Sequence, residues 1–145
     1  MKIVAIILLS FFLGKSCCGQ NKNELKTASI EYTANTRGFY KKISIQNQMV
    51  SVSKNRNEVE MPAGIKISDS DWKELVTYFE AIKLDDLATY KAPTEKRFYD
   101  GAAIANLKIS TKDTVYESAS FDHGYPPEEI NKLVKKLITI SEKKE

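Results

Sequence analysis

The stretch RFYDGAAIANLKISTKDTVYESASFDHGYPP, from Arg97 to Pro127, decides the fold because it joins an apolar hairpin to two polar, aromatic ends. Every second residue from Ala103 to Ile109 is apolar, which is the period-two pattern of a strand with one face on a core. After a polar break at Thr111 to Asp113, a weaker alternation from Val115 to Phe121 predicts the return strand. The sequence therefore predicts an antiparallel hairpin.

The open end of this hairpin is a candidate binding surface. Antiparallel pairing sets the segments outside the two strands side by side, so Phe98 to Gly101 should lie close to Asp122 to Tyr125. Clustered aromatic residues and arginine are the types that most often dominate binding energy. The alternative is that the arginine and an aspartate pair to hold the preceding loop, with the aromatic rings covering the core. The candidate residues are Arg97, Tyr99, Asp100, Asp122, His123 and Tyr125.

A second hairpin is predicted earlier in the chain, after a first short strand. If Asn47 and Gln48 form its turn, Ile45 lies opposite Val50, and apolar partners also meet at the next buried pair. The segment from Lys83 to Asp100 has no clear periodicity, which predicts a long connection.

Two stretches have the spacing of amphipathic helices. Ser68 can cap the first, and Pro126-Pro127 with two following glutamates suits the start of the second. Trp72 belongs to the first apolar stripe, so we expect it in the core. The stripes are Trp72, Leu75, Val76, Phe79 and Ile82, and then Ile130, Leu133, Val134, Leu137 and Ile138.

The order of these elements predicts an α+β fold. We expect an antiparallel sheet of about four to six strands with both helices packed on one face, in the order β-β-β-α-β-β-α. The predicted single domain covers residues 28–141, and residues 142–145 form a charged tail.

The N-terminus predicts export. A basic start and an apolar run from Ile3 to Leu13 resemble a signal peptide over residues 1–16, since about eleven apolar residues fall short of the roughly 20 that a spanning helix needs. The following LGKSCCGQ resembles the lipobox of bacterial lipoproteins, in which the cysteine is acylated, for example with palmitate. Cys17 is the expected lipid site, Cys18 is the alternative, and cleavage without lipid remains open.

Residues 17–27 are expected to be the lipidated cysteine and a flexible tether, because they are polar and lack aromatic residues. Two or more acyl chains hold a protein on a membrane without any spanning segment. We expect the protein in the cell envelope, on the outer membrane. The sequence does not decide which of the two leaflets holds it. No cysteine follows Cys18, so the domain has no internal disulfide to stabilise it.

Charge and composition narrow the classes of partner and ligand that the sequence predicts. Removing Lys2 and Lys15 with the leader takes the 22 basic residues to 20 against 19 acidic residues, which gives no general attraction to nucleic acid. One histidine and no cysteine in the domain do not make a structural zinc site, so no metal is predicted. No phosphate-binding or dinucleotide motif is present, so no cofactor is predicted.

A hydrolase that uses Ser118 or Ser120 with His123 and Asp122 is the weakest hypothesis. No nucleophile-elbow motif accompanies these residues, and neighbouring residues point to opposite sides of an extended strand. The sequence therefore does not predict an enzyme.

Several short runs along the domain together resemble one group of proteins. The resemblance is to small, uncharacterised bacterial lipoprotein domains, covers Glu31 to Ile140, and implies a cell-envelope lipoprotein without carrying an activity. We expect a binding or structural module with a protein partner. An inhibitor or immunity protein against a toxin or hydrolase is the alternative. The runs are Thr36-Arg37-Gly38, Trp72 with Leu75, Lys96 to Ala103, and Phe121 to Gly124 before the paired prolines.

Metabolic labelling with a fatty-acid analogue tests the lipid site. Cys17→Ser should abolish the label, because the acylated sulfur is then missing, whereas Cys18→Ser should retain it. The opposite pattern would move the site by one residue, and an unlabelled wild type would indicate simple secretion.

Overall fold

A computed structural model describes residues 25–145, and the predicted leader and Cys17 lie outside this range. No helix among these residues is long and apolar enough to cross a membrane. The strands are β1 (Ser29–Asn35), β2 (Tyr40–Gln46), β3 (Met49–Ser53), β4 (Ile65–Lys66), β5 (Ile104–Ser110), β6 (Val115–Glu117) and β7 (Phe121–Asp122). The helices are α1 (Asp69–Glu80) and α2 (Asn131–Glu142), with 3-10 turns at Leu84–Thr89, Lys96–Tyr99 and Glu128–Ile130.

The strands form one antiparallel sheet in the order β4-β3-β2-β1-β5-β6, and β7 also pairs with β5. The predicted register of the β2–β3 hairpin is confirmed, because Ile45 lies opposite Val50 and Ile43 lies opposite Val52. Asn47 and Gln48 have φ of 52° and 60°, and two successive positive φ values are typical of a two-residue hairpin turn.

Both helices pack on one face of this sheet. Their apolar residues share a buried cluster with the alternating apolar residues of β1, β2, β3 and β5. Ser68 caps α1 by accepting a hydrogen bond from the Asp71 backbone N–H at 3.2 Å. Lys136 of α2 then donates to the Asp71 carboxylate at 2.8 Å, which ties the two helices together.

The α+β prediction is therefore confirmed, with one difference in detail. The strand count is seven rather than four to six, because β4 and β7 are two-residue strands and the predicted return strand is divided.

A β-bulge divides the return strand. Glu117 pairs with Lys108, but Phe121 pairs with Ala105, so four steps along the return strand match three steps along β5. Ser118 occupies the break, where its hydroxyl replaces a backbone carbonyl in accepting the Leu107 N–H at 2.9 Å. One extra residue reverses which side chains face the core. Consequently Phe121 is fully buried although Glu117, four residues earlier, is exposed.

The ordered chain extends beyond the predicted domain bounds. Leu25 is buried in the core, inside the stretch 17–27 that was predicted to be a tether. At the other end, Glu145 of the predicted tail pairs with Lys41 and Lys54, each at 2.8 Å. Trp72 is only partly buried and packs against the edge of the core, whereas Phe79 is fully buried.

Phe79 should contribute more stability than Trp72, contrary to what the size of the two rings suggests. Phe79→Ala leaves a closed cavity and should cost about 3 to 5 kcal/mol. Trp72→Ala opens onto solvent and should cost clearly less. Urea unfolding of both variants measures this difference, and an equal or larger loss for Trp72→Ala would contradict the packing described here.

Candidate functional site

Strand register brings three loops to one end of the sheet. Asn35 at the end of β1 lies opposite both Tyr40 of β2 and Ile104 of β5. Ile104 in turn lies opposite Asp122 of β7. The β1–β2 loop, the segment before β5 and the turn after β7 therefore share this end, as the hairpin pattern predicted for the last two.

The Asp122 carboxylate organises these segments. Asp122 has no solvent exposure, and its Oδ2 accepts from the Thr94 hydroxyl at 2.6 Å and from the Lys96 backbone N–H at 2.8 Å. Its Oδ1 accepts from the Arg97 backbone N–H at 3.0 Å and from the Arg97 guanidinium at 3.1 Å. One side chain thus fixes the backbone of the segment that leads into β5.

Arg97 completes the network from the other side. Its guanidinium also donates to the Thr94 carbonyl at 2.8 Å and to the Ser120 hydroxyl at 3.2 Å, and it lies 4.3 Å from the centre of the Phe98 ring. The Arg97 side chain is only 8% exposed. The ion pair is therefore shielded from solvent on both sides, and breaking either partner would leave a buried charge.

The electrostatics favour the ionised carboxylate. Burial opposes ionisation, but hydrogen bonds from Thr94, from the backbone of Arg97 and Lys96, and from the Arg97 guanidinium outweigh it and lower the Asp122 pKa to about 2. Asp122 is consequently an anion at any physiological pH.

His123 faces the opposite side of the strand from Asp122. Its Nδ1 lies 2.6 Å from the hydroxyl of Tyr32, which is fully buried on the helix side of β1. The Phe39 ring lies over the imidazole with centroids 5.5 Å apart. Burial and the nearby Lys41 cation lower the His123 pKa below its ordinary value.

Tyr125 is held at the tip of the turn. Its backbone N–H donates to the Asp122 carbonyl at 2.9 Å, and Gly124 turns the chain with a φ of 88°, which a side chain would disfavour. The Tyr125 ring is 52% exposed and lies 5.4 Å from the Lys96 ammonium. Its outer face is thus available to a partner.

Tyr99 and Asp100 lie outermost. The Tyr99 side chain is 71% exposed, and Asp100 is exposed with a φ of 57° at the end of the 3-10 turn. The Gly101 N–H closes that turn by bonding to the Lys96 carbonyl at 2.8 Å.

The six predicted residues therefore divide into two groups. Arg97 and Asp122 form the internal ion pair of the alternative interpretation, and His123 is bonded internally as well, while Tyr99, Asp100 and Tyr125 remain exposed. The candidates predicted from the sequence did not include Phe39, Phe98 and Ile104. Phe98 could have been included, because it directly precedes Tyr99 in the sequence. We define the aromatic end surface as the exposed large apolar residues of this end: Phe39, Phe98, Tyr99, Ile104 and Tyr125.

The hydrogen bonds do not assemble the hydrolase arrangement. The Ser118 hydroxyl accepts from Leu107 and the Ser120 hydroxyl from Arg97, while His123 Nδ1 bonds to Tyr32 rather than to Asp122. Within residues 25–145, His, Cys, Asp and Glu side chains form no group of three that could hold a metal ion.

Comparisons of the chain with protein-family models, with curated proteins and with solved structures found no match. The resemblance to bacterial lipoprotein domains therefore stays a prediction.

Removing the Asp122 charge should be strongly destabilising. Asp122→Asn keeps the shape but turns an amide toward several donors, so we expect a loss of about 3 to 5 kcal/mol in urea unfolding at pH 7. Asp100→Asn is the matched control in the same segment, because its exposed carboxylate should change stability by less than about 0.5 kcal/mol.

Acid should remove the difference in unfolding free energy between wild type and Asp122→Asn. Because the folded pKa of about 2 lies below the ordinary value of 3.8, the stability from the ionised carboxylate is present above pH 3.8 and is lost as the pH falls toward 2. If the difference in unfolding free energy stays constant over this pH range, Asp122 acts through its shape alone.

Proposed function

We propose that this chain is an exported, lipid-anchored binding module of the cell envelope that holds a protein partner on its aromatic end surface. The N-terminal leader directs export and is removed, lipid on Cys17 supplies the anchor, and the folded domain supplies the contact.

The concentration of exposed apolar side chains at one end carries this proposal. Phe98 and Tyr99 are each 71% exposed, Tyr125 is 52%, Ile104 is 46% and Phe39 is 40%. Apolar residues exposed singly over a surface are normal, whereas their concentration in one region is typical of an interaction site. Aromatic side chains beside a cation are also the usual anchors of protein interfaces.

The position of this surface suits a tethered protein. The chain enters the sheet at Ser29, which lies opposite Gln46 and Ser110 at the end remote from Asn35. Strand β1 is seven residues long, so its two ends lie about 20 Å apart. The aromatic end surface therefore lies at the end of the sheet opposite to the one where the chain enters.

The ion pair supports binding by preorganisation. Asp122 holds the backbone at Lys96 and Arg97, immediately before Phe98 and Tyr99. Aromatic side chains on a fixed backbone lose little conformational freedom when a partner binds. This arrangement reconciles an internal ion pair with an external binding role.

Crosslinking of the lipidated protein in the cells that produce it tests the proposal. Tyr99→Ala should reduce the recovered partner at least about tenfold, the loss typical of one interface anchor, while urea unfolding stays close to wild type.

Val115→Ala is the matched control, because Val115 is 58% exposed at the other end of β5. Equal capture by wild type and Tyr99→Ala, or equal loss in both variants, would contradict the proposal. Recovery of a toxin or hydrolase as the partner would select the inhibitor or immunity alternative.

A further inference from the structure

The His123 ring is hydrogen-bonded in a way that defines its proton state. A backbone hydrogen bond from Gly124 favours the anionic form of the Tyr32 oxygen, so the Gly124 N–H is the donor. The Tyr32 hydroxyl has one hydrogen, and His123 Nδ1 lies 2.6 Å away to accept it. With the Tyr32 hydroxyl as the donor to Nδ1, the imidazole is neutral and carries its own proton on Nε2.

A second proton on His123 breaks this arrangement. Nδ1 would become a donor facing the donor Tyr32, whose side chain has no solvent exposure. Among the hydrogen bonds of residues 25–145, none offers the Tyr32 hydroxyl another acceptor. Protonation therefore leaves a buried donor unpaired unless the ring or the turn moves.

On balance, the charged groups around His123 also favour its neutral form. Lys41 of β2 disfavours the imidazolium, and Glu142 of α2 favours it. The Glu145 carboxylate pairs with Lys41 at 2.8 Å, and the Asp122 carboxylate is directed to Arg97 on the other side of the strand. Burial and Lys41 together lower the pKa of His123.

We propose that His123 is a proton-sensitive latch for the aromatic end surface. The neutral imidazole holds Phe39, whose ring lies over it, and the turn that carries Tyr125. A second proton breaks the bond between His123 and Tyr32, so that the imidazole, the Phe39 ring against it and the turn are free to move. The consequence for partner binding rests on the proposed function, because Phe39 and Tyr125 belong to that surface, whereas the latch itself is a property of the free protein.

Nuclear magnetic resonance of the full chain, purified in mild detergent, tests the latch without a partner. His123 is the one histidine, so its ring signals are assigned without ambiguity. Between pH 8 and pH 4.5 we expect its titration midpoint to lie below 6.5. The ring signals of Phe39 and Tyr125 should shift with the same midpoint.

Two variants complete the test. His123→Gln should remove the pH dependence of the Phe39 and Tyr125 signals, and Tyr32→Phe should move the His123 midpoint upward because the donor to Nδ1 is gone. If Tyr32→Phe does not fold, the His123→Gln comparison decides alone. A wild-type midpoint at or above 6.5, or Phe39 and Tyr125 signals that do not follow His123, would overturn the latch.

The same variants separate the latch from the proposed function. Wild type should lose captured partner between pH 7.5 and pH 5, and His123→Gln should lose less. An intact latch with no effect of Tyr99→Ala on capture would refute the binding surface alone. Capture that depends on Tyr99 but not on pH would refute the control of binding by the latch.

Discussion

One buried carboxylate is the constraint on which the structure of the aromatic end surface depends. An ionised group without solvent contact is tolerated only when its oxygens are fully hydrogen-bonded and its charge is paired. Asp122 meets that condition with donors from Thr94, Lys96 and Arg97. All of them come from the long connection before β5, so a connection with little regular structure acquires a defined backbone at the place where it presents aromatic side chains.

The β-bulge in the return strand makes this carboxylate available. Without the extra residue, Phe121 would lie opposite Ile104 and would face away from the helices. With it, Phe121 enters the core opposite Ala105, and Asp122 lies opposite Ile104 under the 94–97 segment. The β-bulge therefore determines both the packing of the core and the structure of the aromatic end surface.

The sequence predicted the parts of the fold that depend on local periodicity. The Asn47–Gln48 turn and its register follow from alternation and turn chemistry, and Ser68 follows from capping preferences. The bulge could not be predicted from the sequence, because one extra residue within Val115 to Phe121 leaves the composition of the strand unchanged. The burial of Asp122 was equally hidden, since half of its donors are backbone N–H groups in a segment without periodicity.

The two neighbouring residues of β7 and its turn respond to acid over different ranges. Asp122 stays ionised down to a pKa of about 2, while burial and the Lys41 cation lower the pKa of His123 below its ordinary value of 6.5. Because the His123 pKa is lowered on folding, its neutral form contributes stability that is present above pH 6.5 and is lost as the pH falls through the folded pKa. Mild acid thus weakens the hydrogen bond between His123 and Tyr32 while the ion pair between Asp122 and Arg97 persists. The two side chains point to opposite faces of one strand, so the end surface can change shape while the loop behind it stays attached.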